Sequence, residues 1–181
     1  KYNFDFRQQG ALTEQMYFAI PKELNTEHKK SLDDNTSFYI KLHGSCNWVT
    51  EDKKHLIITG QNKTGEILEN GLLSWYQDIL KQVLDGEDVK VFFIGYGFRD
   101  TYLNEIIKDA IFKKDLKIYI LSPLKYSDFR EQVRKVWNGF NGALDQGLSG
   151  YFKTDLKELF PNQSGISAIE KEIEESFFKN V

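Results

Sequence analysis

The sequence predicts an α/β domain: a mostly parallel sheet flanked by helices. Three observations predict it. Four short apolar runs, "FYIKLHG", "HLIITG", "KVFFIGYG" and "LKIYILSP", are β-branched or aromatic and end in Gly, Ser or Pro, as strands do. Apolar residues at helical spacing lie between and after these runs. The alternation of strand and helix is how parallel strands joined by crossovers are written along a chain.

The elements follow in order. Tyr2, Phe4 and Phe6 alternate with polar residues, which predicts a short half-buried strand. Residues 25–37, "NTEHKKSLDDNTS", are polar without period and read as a loop. The run from Phe38 to Leu42 reads as a strand with His43 at its carboxyl end. Leu72, Leu73, Tyr76, Ile79, Leu80 and Val83 step by threes and fours and mark one helix. Leu103, Ile106, Ile107, Ala110 and Ile111 mark a second, with Asp100 as its cap; Phe129, Val133, Val136 and Trp137 mark a third. "VFFIG" and "IYIL" are nearly continuous apolar runs, expected of strands buried on both faces. Residues 138–150, "NGFNGALDQGLSG", are Gly-rich and predict a flexible connection. "TDLKELF" and "SAIEKEIEESFF" then predict short helices, the latter opened by a Ser167–Glu170 capping box. The organisation is therefore a lead-in over 1–37, an α/β core over 38–138, and a connection with a C-terminal helical segment over 139–181.

Composition narrows the function. Apolar residues make up 40% and charged residues 28% of the 181 residues, with a net charge of −3. That balance predicts no nucleic acid or anionic membrane as partner. No apolar run approaches the roughly 20 residues that span a bilayer, and no signal peptide is visible. The single cysteine, Cys46, excludes an internal disulfide and a multi-cysteine zinc site, and points to a cytoplasmic setting. A chain that opens on Lys1 without methionine is expected to be part of something longer.

In open α/β sheets, ligands sit beyond the carboxyl ends of the strands, the Rossmann-like arrangement. Three strand ends carry conspicuous residues: His43-Gly44-Ser45, then Gly95-Tyr96-Gly97-Phe98-Arg99-Asp100 before a helix, then Leu121-Ser122-Pro123. Two glycines at a strand-to-helix turn let backbone approach a ligand closely. "GYGFRD" is thus a nucleotide-site pattern, although it lacks the third glycine of the dinucleotide fingerprint. His28 and His55 sit in polar or lysine-rich surroundings and carry no such pattern.

"KLHGSCNW", "IITGQNK", "FFIGYGFRDTYLNEIIKDAI" and "IYILSP", in that order, resemble the SIR2-like domains of bacterial sirtuin-related proteins over residues 38–123. The resemblance implies a Rossmann-like fold and NAD as substrate or ligand. It implies His43 as catalytic base, with Gly44 and Ser45 beside it on the cofactor. It places the turn near the adenosine ribose on Gly95, Tyr96 and Gly97, and the adenine-side strand end on Leu121 and Ser122. Sirtuin deacetylases carry four zinc-binding cysteines, and this chain has one. The resemblance is therefore closer to zinc-free relatives, several of which are NAD-cleaving effectors of anti-phage defence.

The family opens with a glycine-rich phosphate loop and continues to an "NYD"-type motif. No such loop precedes "KLHGS". Asn3 and Asp5 in "YNFD" fit the second motif, while the aromatics around them fit a strand. The chain is accordingly expected to be the C-terminal part of a SIR2-like domain. Alone it is expected to bind NAD weakly or not at all and not to turn it over, since each charge-assisted phosphate bond is worth about 1.5–3 kcal/mol.

The chemistry implied is cleavage of the nicotinamide–ribose bond through an oxocarbenium-like state, with a base for the incoming nucleophile. Water as nucleophile makes an NAD hydrolase; an acyl-lysine oxygen makes a deacylase. A non-catalytic module holding NAD or ADP-ribose is the third reading. A fused or partner protein domain and a homo-oligomer are the protein partners it allows.

Overall fold

The computed structural model describes residues 18–21, 39–59, 63–137, 140–160 and 167–179. The expected strand at Tyr2–Phe6, the loop over 25–37, and Asn3, Asp5, His28, Phe38, Gly60 and Asn62 lie outside them. The chain divides after Ile79 into two compact units, residues 1–79 and 80–181, each described by itself.

The N-terminal unit carries β1 (Phe18–Ala19), β2 (Gly44–Val49) and β3 (His55–Ile57) in the order β1-β2-β3. β1 and β2 are parallel, with Phe18 opposite Trp48; β2 and β3 are antiparallel. Helices α1 (Lys63–Glu69) and α2 (Gly71–Leu84) follow. Asn70 starts α2 as a cap, its Oδ1 accepting from the N–H groups of Leu72 and Leu73 at 3.2 Å each. Ile20, Trp48, Leu56, Ile58, Ile67, Leu73, Tyr76 and Ile79 form this unit's core, so the helical spacing read at Leu72–Ile79 does face apolar neighbours.

The first correction concerns the run before His43. Residues 39–43 are not a strand; the strand starts at Gly44. His43 therefore stands at the amino end of β2, not at the carboxyl end of a parallel strand. The cause is a turn. The Gly44 N–H donates to the Lys41 carbonyl at 3.0 Å, and Gly44 takes φ +77°, a left-handed value that ends an extended run. Ile40 and Leu42 are apolar because they pack against the core, which needs no strand.

The C-terminal unit holds the parallel sheet; the α/β core expected over 38–138 is divided after Ile79, and among the described residues the runs before it do not join this sheet. β4 (Lys90–Ile94), β5 (Lys117–Ser122) and β6 (Leu148–Lys153) form an all-parallel sheet in the order β4-β5-β6. α3 (Thr101–Lys114) joins β4 to β5; α4 (Tyr126–Val136) and α5 (Phe140–Gly147) join β5 to β6. α6 (Leu156–Leu159), α7 (Ala168–Ile173) and a π-helical turn (Glu174–Phe178) close the described chain. Side chains alternate along β5, as the pleat requires. Ile118 and Ile120 enter a core with Ile107, Ile111, Phe129, Val133 and Leu144 from α3, α4 and α5. Tyr119 and Leu121 enter a second core with Phe152, Leu159 and Ile173 from β6, α6 and α7. Full burial of each such aliphatic side chain contributes about 1.5–3 kcal/mol. Asp100 caps α3 as expected, its Oδ1 accepting from Leu103 N–H at 3.0 Å, and the Ser167–Glu170 capping box is present.

Two expectations change in this unit. β5 is buried throughout after its first residue, but β4 is only half-buried, because among the described strands it is an edge. The Gly-rich stretch is no flexible connection: from Phe140 on it is α5 and β6. Ala143 and Leu144 are fully buried. The glycines are there for close approach. A Cβ at Gly147 would lie 2.9 Å from the Ile111 side chain, and one at Gly150 would lie 2.6 Å from the Tyr119 ring. No helix among the described residues is long and apolar enough to cross a membrane.

Candidate functional site

The turn after β4 is built by a few residues with separate duties. Gly95 takes φ +69°, which sends the chain sharply off the end of the strand. A Cβ placed on Gly95 or Gly97 would meet nothing within 4 Å, so both α-carbons border open space. Phe98 then turns back into the core, fully buried, against Tyr96, Phe129 and Trp137. It does so at φ +53°, unusual for a residue with a side chain. Asp100 ends the turn by capping α3.

This turn opens on a cleft of about 710 Å³ at the carboxyl ends of the sheet. Ile94, Gly95, Tyr96 and Gly97 form one wall, and Leu121, Ser122, Pro123 and Leu124 the floor beyond β5. Thr154, Asp155, Leu156 and Lys157, beyond β6, form the opposite wall, with Phe129, Gln132 and Val133 of α4 at the side. The expected residues Gly95, Tyr96, Gly97, Leu121 and Ser122 thus line one cleft. Sequence reasoning misses the third wall because the first half of β6, Leu148–Gly150, falls in the Gly-rich stretch that predicts a connection. Its signal was present: Tyr151-Phe152 followed by Thr154-Asp155, a strand end and a helix cap like the one at Asp100.

Most polar groups here hold the walls in place. The Ser122 carbonyl accepts from Thr154 N–H at 3.0 Å, and Ser122 Oγ accepts from Leu124 N–H at 3.3 Å. Asp155 Oδ1 caps α6 through the N–H groups of Lys157 and Glu158 at 2.8 and 2.9 Å. Thr154 donates its hydroxyl proton to Glu158 Oε2 at 2.6 Å. Burial, and then the nearby Asp100 carboxylate, push the Tyr96 phenol far above its ordinary range. Tyr96 is therefore a neutral hydroxyl at any working pH.

The other expected residues belong to the N-terminal unit. His43 is half-buried, and its carbonyl accepts from Ile58 N–H at 2.8 Å, which ties the turn to the segment after β3. Gly44 is a packing necessity, because a Cβ there would collide with the Leu56 carbonyl oxygen. Ser45 is engaged by its neighbours: Lys41 Nζ donates to Ser45 Oγ at 2.8 Å, and Ser45 Oγ donates to Asn47 Oδ1 at 2.7 Å. Lys41 Nζ also lies 5.5 Å from the Trp48 ring centroid, a cation–π distance. Cys46 is an exposed free thiol. Among the described residues no group of three or more His, Cys, Asp or Glu could hold a metal ion.

A parallel α/β sheet with a glycine-lined cleft at its carboxyl ends defines a domain of the open α/β-sheet class. A family model described as "SIR2-like domain" matches residues 2–141, and the chain belongs to that family. No curated protein matches the chain, and neither does any solved structure.

Proposed function

We propose that the cleft beyond β4, β5 and β6 binds the adenosine half of NAD, and that the domain serves cleavage of the nicotinamide–ribose bond. The observation that carries this reading is the pair Gly95 and Gly97, with open space at both α-carbons, facing a cleft where three parallel strands end. Such a turn lets a ribose approach the main chain. Ile94, Leu124 and Leu156 suit the faces of a purine; Gln132, Ser122 and Lys157 supply polar partners for its edge and for the sugar. His43 takes the role of base for the incoming nucleophile, an assignment that rests on the His-Gly motif and on family membership. With water as nucleophile the domain is an NAD hydrolase, and with an acyl-lysine oxygen a deacylase.

The test is a titration of ADP-ribose followed by backbone amide shifts. Shifts should gather at residues 94–97, 121–124 and 154–157. Gly97→Val, which fills the open space, should weaken binding about tenfold or more, some 1.4 kcal/mol, while leaving the unfolding midpoint nearly in place. Equal affinity of the two forms would refute the cleft. In a natural chain that releases nicotinamide from NAD, His43→Ala should slow release about 10²–10⁴-fold. ADP-ribose as sole product indicates the hydrolase, and an acylated ADP-ribose the deacylase.

A further inference from the structure

We propose that Asn104 is the positioning residue of the ligand turn, a buried clamp that holds Gly95–Asp100 in its binding shape before any nucleotide arrives. The proposal rests on the reading of the cleft given above and adds to it how the turn is kept ready.

Asn104 lies on α3, one turn ahead of Ile107 and two ahead of Ala110 and Ile111, on the helix's buried face. It is 0% exposed. An amide at such a position is unfavourable unless its hydrogen-bonding groups are answered. They are answered by the turn. Asn104 Nδ2 donates to the Phe98 carbonyl at 2.8 Å, and Asn104 Oδ1 accepts from the Tyr96 hydroxyl at 2.7 Å. One side chain thus grips the turn at two points, on either side of Gly97. Its own N–H donates to the Asp100 carbonyl at 2.9 Å, so the clamp is fixed to the first turn of the helix.

The grip has something to resist. Gly95 and Phe98 both hold left-handed backbone angles, and Phe98 lacks the glycine's freedom to do so. Gly97 between them has no side chain to anchor it, and the space beside it is open. Without the clamp the turn would sample other shapes. A ligand that needs one shape then binds with its affinity reduced to the fraction of time that shape is present. Leucine at 104 would fill similar space, but it would remove both grips and leave the Tyr96 hydroxyl the long bond to the Asp100 carbonyl, 3.5 Å.

The test reads the turn without ligand first. Native-state amide exchange is followed in the wild-type chain, Asn104→Ala and the milder Tyr96→Phe, which removes one of the two grips. Residues 95–99 should exchange about tenfold or more faster in Asn104→Ala and a few-fold faster in Tyr96→Phe, with the β5 amides unchanged. ADP-ribose should bind each variant with its affinity reduced to the fraction of chains whose turn stays closed, as read from the exchange, and should restore slow exchange at saturation. If Asn104→Ala does not fold, Tyr96→Phe is read by the same criteria. Unchanged exchange at 95–99 overturns the clamp. A turn that is open most of the time in Asn104→Ala and still binds ADP-ribose as the wild type does also overturns it, and leaves the cleft reading standing. A wild-type chain in which ADP-ribose shifts none of 94–97, 121–124 and 154–157 overturns the cleft reading, and the clamp's role with it.

Discussion

Replacing Gly44 with alanine should unfold the N-terminal unit at room temperature or bring it close to unfolding. Two penalties coincide. The backbone stands at φ +77°, where a side chain costs about 1–2 kcal/mol. The added Cβ would also collide with the Leu56 carbonyl oxygen, an atom fixed by the β2–β3 pairing. Relief requires the two strands to part, and then Trp48 and Leu56 lose their core contacts. A total loss of about 3–5 kcal/mol is expected, in the exceptional range for one substitution. Two of the three tryptophans, Trp48 and Trp75, lie in this unit and Trp137 in the other, so the larger part of the tryptophan emission change in denaturant reports it. A midpoint shift worth less than about 1 kcal/mol would show that the turn can rearrange.

Phe98→Ala should have the next largest effect, in the other unit. Phe98 is fully buried and touches the rings of Phe93, Tyr96, Phe129 and Trp137. Truncating such a residue leaves a cavity and costs about 3–5 kcal/mol. Phe98→Gly should recover about 1 kcal/mol of that relative to alanine, because glycine removes the penalty of the left-handed angle. That ordering, read from urea midpoints, is opposite to the usual preference for alanine over glycine. Finding the alanine variant the more stable of the two would mean that the backbone relaxes to a negative φ once the ring is gone.

These residues also show what the sequence made legible. The turn at Gly95–Asp100 was readable because its marks are local: an apolar strand, two glycines, then a capping aspartate. Leu121 and Ser122 were readable as the end of an apolar run that stops at Pro123. The run before His43 was not, since four apolar residues interrupted only by Lys41 look alike whether they form a strand or merely lean on a core, as Ile40 and Leu42 do. Gly147 and Gly150 misled for a different reason. What demands a glycine at each is a side chain on another element, Ile111 or Tyr119, and that information is not local. Asn104 was hidden in the same way, as a polar residue among apolar ones whose partners lie six and eight residues back in the turn.

The family match ends at residue 141, within the second residue of α5 (Phe140–Gly147), and β6 lies wholly beyond it. A chain trimmed to the matched segment would lose one wall of the cleft, Thr154–Lys157. It would also strip β5 of its partner from Ile118 to Ser122, leaving an apolar strand with a row of unanswered N–H and C=O groups along one side. Bare strands of this kind recruit whatever strand they meet, and identical chains are the nearest supply. For this chain the boundary of recognisable sequence and the boundary of the parallel sheet are different places, separated by most of α5 and by β6.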